Sequence, residues 1–334
     1  MTTPTPDAAR RRLLGASLAA ALAGPLTEAL AQAGRGWPER PIRFVLGYPT
    51  GGAADGVGRA LTPRLDAALG QPWVIDYRPG AGATIAADAT ARAPADGYTL
   101  HLIDAGPMTI VPNGKKVAYD PLGSFTPIGL VCTGGTLVVV NPSVPAANVD
   151  ELVRLARSRA QQGLNYGTSG VGGAAHLAGE LFQAMTQTSL VHVPYKGGSQ
   201  AVVELIGGQI PLLFSSMATA IPHVQSGKIR AIGVTSGQRT AALPDVPTIA
   251  EQGLPGYEAT VWFGLVGPAG LPADIVNRVS AALNAALADA AVQDAIRRQG
   301  YDPAPGTPAE FTARIRADLA KWSKVIRDAK ITFE

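Results

Sequence analysis

Side chains able to do covalent or metal chemistry are few in this chain and badly spaced for it. Histidines stand at positions 101, 176, 192 and 223 and the single cysteine at position 132. They show neither a zinc-ligand spacing nor a thiolate partner, so no metal and no cofactor is expected, and each reads as a packed or capping residue. The nearest approach to a nucleophile elbow is Gly167-Thr168-Ser169-Gly170-Val171. A valine stands where G-x-S-x-G needs its second glycine, which disfavours a hydrolase built on Ser169. Gly170-Val171-Gly172-Gly173-Ala174-Ala175 can be written as G-x-G-x-x-A, the loosest form of a dinucleotide fingerprint. Its confirming acid is missing, because the next strand runs out at Val193-Pro194-Tyr195-Lys196, and no Walker A sequence occurs. The chain reads as a non-enzyme.

What remains is the chemistry of holding an anion. Residues 42–47 are an apolar strand that runs into Pro49-Thr50-Gly51-Gly52 and then a helix start at Ala53-Ala54-Asp55. Gly51 and Gly52 lack a Cβ, so their backbone can take positive φ and approach a ligand closely. The first amides of the helix have no intrahelical acceptor, and the helix dipole adds positive potential at the same point. The same device, small or hydroxyl residues between a strand end and a helix start, recurs at residues 167–173 and 195–198. Phosphate, nucleotide and carboxylate all stay open at this point. Asp55 and Arg59 can equally form a solvated pair, and Lys196 a surface charge.

The elements that must position these turns alternate. Strands over 42–47, 73–77 and 98–103 are separated by helices over 54–69 and 83–92, a spacing that implies βαβ units and a parallel sheet. Ligands of such sheets lie at the carboxyl ends of the strands, where residues 48–52 and 104–107 fall. An irregular stretch over 111–127 precedes a second series: one long strand over 128–140, a helix from 149 capped by Asn148, and strands over 164–166, 190–193, 210–214 and 229–234 with helices between. A loop over 235–257, a strand over 259–266 and three helices over 275–328 follow. That helical tail is too little for a third core, so it returns to cover the first domain. The expectation is an α/β protein with a discontinuous first lobe (34–128 and 237–334) and a second lobe (129–236).

Composition agrees. A net charge of +3, with 16% charged residues and no basic stripe, argues against a nucleic-acid partner. About 300 residues remain once a leader is removed, more than one core usually supports. That leader is a signal peptide over residues 1–33: Arg10-Arg11-Arg12 opens an apolar run through Ala23, and Ala31-Gln32-Ala33 is an Ala-x-Ala cleavage site. The arginines also fit a twin-arginine signal. Cys132 lies far from the cleavage site, so the exported chain is expected to be soluble, without a lipid anchor or an intramolecular disulfide.

Ordered motifs along the chain resemble the substrate-binding receptors of the tripartite tricarboxylate transporter family, also called the Bug receptors. They are Tyr48-Pro49-Thr50-Gly51-Gly52-Ala53-Ala54-Asp55, Arg78-Pro79-Gly80-Ala81-Gly82, Ala95-Asp96-Gly97-Tyr98-Thr99-Leu100 and Tyr119-Asp120-Pro121. They continue with Asn165-Tyr166-Gly167-Thr168-Ser169-Gly170, His176-Leu177-Ala178-Gly179-Glu180-Leu181-Phe182, Val193-Pro194-Tyr195-Lys196-Gly197-Gly198 and Leu243-Pro244-Asp245-Val246-Pro247-Thr248. The resemblance implies a type II periplasmic binding protein, monomeric, with two α/β lobes hinged about a cleft, that captures a small mono-, di- or tricarboxylate. It implies membrane permease subunits as partners, or alternatively a membrane sensor kinase. It also implies a grip on the proximal carboxylate by Tyr48, Thr50, Gly51, Gly52, Ala53 and Asp55, largely through amides and bridging waters. Ala105 and Thr109, Thr168 to Gly170 with His176, and Tyr195 and Gly197 face that turn across the cleft. Ser169, Tyr195 and Ser215 then read the distal end. Many members carry an Asp where this chain has Ser215, which disfavours a ligand amine and favours an uncharged end or a second carboxylate. The segment 111–117 is shorter than usual, with Lys115 and Lys116 facing solvent.

Overall fold

The structure, a computed structural model, describes residues 36–328 together with 331 and 333; the leader expected over 1–33 lies outside the described residues. Two mixed sheets organise the chain. The first takes β1 (Ile42–Leu46), β2 (Trp73–Tyr77), β3 (Thr99–Asp104), β4 (Phe125–Gly134), β10 (Val261–Pro268) and β11 (Tyr301–Pro303), in the order β11-β4-β10-β3-β1-β2. The second takes β5 (Thr136–Val140), β6 (Leu164–Thr168), β7 (Leu190–Pro194), β8 (Leu212–Ser216) and β9 (Arg230–Val234), in the order β7-β6-β8-β5-β9.

Helices α1 (Ala53–Leu69), α2 (Thr84–Ala91) and the short α3 (Val111–Gly114) belong to the first half of the chain. Four follow among the strands of the second sheet: α4 (Val149–Ser158), α5 (Ala174–Thr186), α6 (Gly198–Ile206) and α7 (Met217–Gln225). The rest are α8 (Ala273–Ala288), α9 (Ala290–Arg298) and α10 (Pro308–Asp328).

Local sequence explains most of these. Ile42, Phe44, Val45 and Leu46 of β1 are wholly buried, as in a strand covered on both faces. In α1 the buried Val57, Leu61, Leu65 and Leu69 recur every four residues, one apolar stripe against the sheet. Burial of each such leucine stabilises by roughly 1.5–3 kcal/mol. Gly70, at φ 72°, ends the helix by donating its amide to Asp66 O. Asn148 caps α4 as its sequence predicts, its side chain accepting from the Glu151 amide at 2.9 Å.

Three expectations change. The sheets are not all parallel: β1, β2 and β3 are, as are β6, β7 and β8, but β10 runs antiparallel to β3 and β4, and β5 antiparallel to β8 and β9. The antiparallel strands lie where the chain passes between sheets, so they enter without a helical crossover. Residues 128–140 form two strands rather than one, and the change of sheet falls at Gly135 rather than at 128. A Cβ at Gly135 would stand 2.7 Å from the Ser236 backbone nitrogen, just past the end of β9, so only glycine fits between them. Thr136 and Thr235 clasp the two crossings: Thr136 N donates to Thr235 Oγ1 at 2.7 Å, and Thr235 Oγ1 reaches Ala259 O at 3.1 Å. Ile249, Tyr257 and Ala259 still pack on the second-lobe core.

Third, α10 does more than cover the first lobe. Phe311 and Ile315 pack there with Trp262 and Ile103, and Trp262 Nε1 donates to Asp318 Oδ2 at 2.7 Å. Further on, Trp322 and Ile326 join the core of the second lobe beside Phe182 and Tyr257.

Candidate functional site

The turn after β1 has the geometry its glycines allow. Gly51 sits at φ +83°, and Gly52 is the extended N-cap of α1 with no side-chain cap, which leaves the amides at the helix start facing outward. Thr50, Gly51 and Gly52 are exposed and Ala53 half-buried. Asp55 points back into the turn. Its Oδ2 accepts from Gly51 N at 2.8 Å, while Oδ1 accepts from Tyr77 Oη at 2.6 Å and Arg59 Nε at 2.7 Å. Burial alone pushes this carboxyl up, but the Gly51 amide, the Tyr77 hydroxyl and the Arg59 guanidinium outweigh it and hold the group below its ordinary range. Both oxygens of Asp55 are thus occupied in shaping the turn, as is the Gly51 N–H, and Ala53 and Ala54 begin the free amides.

Tyr48, the first residue of the turn, is tied beneath it, donating to Asp104 Oδ2 at 2.7 Å. Ala105 and Thr109 lie in a π-helical turn (Gly106–Ile110) and its approach and are buried. The Thr109 hydroxyl turns inward to Ala105 O at 2.8 Å.

In the second lobe, Ser169 is exposed, Gly170 and Tyr195 are half-buried, and Thr168 is wholly buried. Tyr195 N donates to Thr168 O at 3.0 Å, so the two glycine turns of this lobe move as one. Thr168 Oγ1 lies 2.7 Å from His192 Nε2, and His192 stacks on His176 with centroids 4.1 Å apart. His176 Nδ1 accepts from Gly172 N at 3.2 Å. Burial lowers His176 to about 3 and His192 to about 4, and the His192 ring further disfavours charge on His176, so both rings are neutral supports of the turn. Gly197, in extended backbone, caps α6. Ser215 is buried, and its hydroxyl has no hydrogen-bond partner.

Between the lobes lies a cavity of about 340 Å³. Its first-lobe wall is Gly51, Gly52 and Gln299, and its second-lobe wall is Ser199 and Val203 of α6 with Ala218, Thr219 and His223 of α7. The starts of α1, α6 and α7 therefore meet on one space with no Lys or Arg in its lining, an arrangement that receives negative charge on amides and hydroxyls. Of the residues expected here, Gly51 and Gly52 line it, while Ser215, Thr109 and His176 are buried and outside its lining. Sequence reasoning missed Ser199 and Thr219, although each sits in the first turn of a helix after a small-residue turn. Gln299 carried no signal; it reaches the site because Gly56 has no side chain, a Cβ there falling 2.6 Å from the Gln299 amide. Among the described residues no cluster of His, Cys, Asp or Glu can hold a metal.

Fold and site together define a two-lobed α/β binding protein. A family model described as the tripartite tricarboxylate transporter family receptor matches residues 57–331, and the chain belongs to that family, one of solute-binding receptors rather than enzymes. It is 33% identical over 297 residues to protein BugT of Bordetella pertussis, covering 87% of this chain and 90% of that one. An R. palustris protein solved with adipate superposes with a TM-score of 0.82 at 34% identity, over 89% of this chain and 99% of that chain. MatC from Rhodopseudomonas palustris, solved with bound malate, superposes with a TM-score of 0.79 at 28% identity, over 87% and 100%. Among the described residues no helix is long and apolar enough to cross a membrane.

Proposed function

We propose that the chain is a periplasmic receptor that captures a small carboxylated solute for a tripartite tricarboxylate-type uptake system. The observation that carries this reading is the cavity on which the starts of α1, α6 and α7 converge without a cationic side chain. A carboxylate seated on the amides from Ala53 onward meets the positive end of α1, and hydroxyls of the second lobe meet the rest of the solute. Adipate and malate in the related structures support a carboxylate as the ligand class. In this reading residues 1–33 are an export leader removed from the mature receptor, and the lobes hinge at the crossings near Gly135 and Ala259. Membrane permease subunits are the partners that recognise the closed form.

A thermal-shift panel of mono-, di- and tricarboxylates, followed by calorimetry, tests the proposal. A true ligand at about 100 times its dissociation constant adds roughly 2.7 kcal/mol of stability. Gly51→Val forces a β-branched residue to φ +83°, where left-handed backbone costs roughly 1–2 kcal/mol, and is expected to weaken binding at least tenfold. Unchanged affinity in that variant would remove the turn from the site.

A further inference from the structure

Below the anion-holding turn lies a carboxyl group that no part of the proposed grip uses. Asp104 ends β3, pairs across the sheet with Phe263 of β10, and accepts a hydrogen bond from Tyr48, the residue that opens the turn, at 2.7 Å. Its other oxygen, Oδ1, is out of solvent and has no hydrogen-bond donor. A Cβ on Gly106 would stand 3.6 Å from either oxygen and 3.8 Å from the Tyr48 hydroxyl, in ordinary contact with both, so the start of the π-turn packs directly on the carboxyl and the phenol. The residue as a whole is only half-buried, which leaves a route for a proton.

The groups around it are neutral. Tyr48 comes from the β1–α1 turn, Tyr301 from β11 and Tyr119 from the segment before β4, and these three phenols are the titratable neighbours of the Tyr48–Asp104 pair. The buried Cys132 thiol on β4 lies behind Tyr301. Charged side chains stand one step further out and are acidic: Asp88 acts on Tyr119 and Asp302 on Cys132. The nearest arginine of the turn, Arg59, is closed on Asp55 and Tyr77. A carboxylate whose donors are one neutral phenol and its own amide, with an orphan oxygen and no cation, is poorly solvated, and a proton on Oδ1 relieves that.

We propose that Asp104 is a proton-binding site linked to occupancy of the turn above it, so that capture of an anionic solute is accompanied by proton uptake at this carboxyl. The inference rests on the proposed carboxylate grip at the start of α1. Burial already raises Asp104 to about 7 against the opposing pull of the Tyr48 hydroxyl and of its own amide. A second negative charge arriving at the turn that Tyr48 opens favours the neutral acid further. Affinity should then rise as pH falls toward 7, by up to tenfold per pH unit while the free and occupied forms differ by one proton, and level off below it.

Two measurements on the whole receptor test this. Carboxyl-¹³C NMR of aspartate-labelled protein, with the signal assigned by its loss in Asp104→Asn, should show one aspartate titrating near pH 7 and moving upward with adipate or malate. Calorimetry of adipate and malate at pH 7 in phosphate and in Tris, whose ionisation heats differ, should give an uptake of about 0.3 to 0.5 proton, because a carboxyl titrating near 7 is already half protonated there. Asp104→Asn, which imitates the neutral acid, should bring that uptake to zero and flatten the pH profile. An Asp104 signal titrating in the ordinary carboxylate range overturns the inference whether or not either compound binds. Binding of adipate or malate with no proton exchanged also overturns it, while leaving the carboxylate receptor intact. Failure of every carboxylate to bind overturns the receptor reading and the linkage together.

Discussion

The glycine turns of the two lobes share one strand-turn-helix plan and differ in what stiffens them. In the first lobe an ionised carboxylate does it: Asp55 ties the Gly51 amide, Tyr77 and Arg59 into one knot. In the second lobe the support is uncharged, a threonine hydroxyl against a stacked pair of imidazoles. A negative charge beside an anion site is tolerable only if its lone pairs are fully engaged, and Asp55 meets that condition on both oxygens. The dipole of α1 is then left facing the cavity with little opposition. The support of the second-lobe turns carries no formal charge, and Lys196 in the second of them is exposed and outside the cavity lining, so this lobe's contribution is shape and hydroxyl donors. Attraction and discrimination are thereby divided between the lobes.

Cutting the knot in the first lobe should have the largest effect. Asp55→Ala removes three hydrogen bonds to an ionised group, each worth about 1.5–3 kcal/mol when buried, less for the largely exposed Arg59, and frees Gly51 to leave its left-handed conformation. We expect a stability loss of about 3 kcal/mol in urea melts, from the Gly51 and Tyr77 bonds at the lower end of that range, and at least a tenfold loss of affinity by calorimetry. Asp55 is held below its ordinary range in the fold, so its contribution is present above about pH 4 and disappears as pH falls through the folded value. A variant that keeps wild-type affinity would show that the turn is rigid without its carboxylate.

Breaking the neutral support of the second lobe should act through acid instead. His176 and His192 are lowered by burial to about 3 and about 4, whereas an unfolded histidine titrates near 6.5. Between those values the unfolded chain binds protons that the fold refuses, so the pair's contribution is complete above about pH 6.5 and is lost as pH falls toward 4. His192→Phe retains a ring against His176 and Tyr166 but cannot titrate, and should reduce the acid slope of stability over that window by about one proton, roughly 1.4 kcal/mol per pH unit, leaving the share of His176 and of His101, which burial also lowers to about 3. Urea midpoints from pH 7 to 4 read it directly. An unchanged slope would place the acid sensitivity elsewhere.

The contrast between the lobes was only partly legible in the sequence. Strand and helix positions followed from apolar periodicity, and the three glycine turns from their residue types, because both are local. The break at Gly135 was not, since the apolar runs over 128–132 and 137–140 read as one strand and the glycine is required by Ser236, a residue distant in sequence. Asp55 read as a ligand contact or a solvated pair for the same reason: the donors it accepts from include Tyr77, on the neighbouring strand. Asp104 was passed over as part of a turn, because its environment comes from Tyr48, Tyr119 and Tyr301, which only the folded sheet brings together. Gln299 enters the cavity by virtue of an absent side chain at Gly56, which no motif records.

The finest test of the division concerns which hydroxyl of the second lobe meets the solute. Family resemblance points to Ser215, but in the fold this residue is 3% exposed and its Oγ has no partner, while Thr219, one helical turn later, lines the cavity and shares a hydrogen bond of 2.7 Å with Ser216. Removing an unsatisfied buried hydroxyl is close to neutral, so Ser215→Ala should change stability by less than about 1 kcal/mol and leave affinity within about twofold. Thr219→Val keeps the shape and deletes a donor at the wall, which should weaken binding by about 0.5–1.5 kcal/mol, roughly 2- to 13-fold. Calorimetry with one carboxylate across both variants decides between them. The reverse order, with Ser215→Ala the weaker binder, would mean that β8 turns its end toward the solute when the lobes close, and that the second lobe reads its ligand from the sheet rather than from α7.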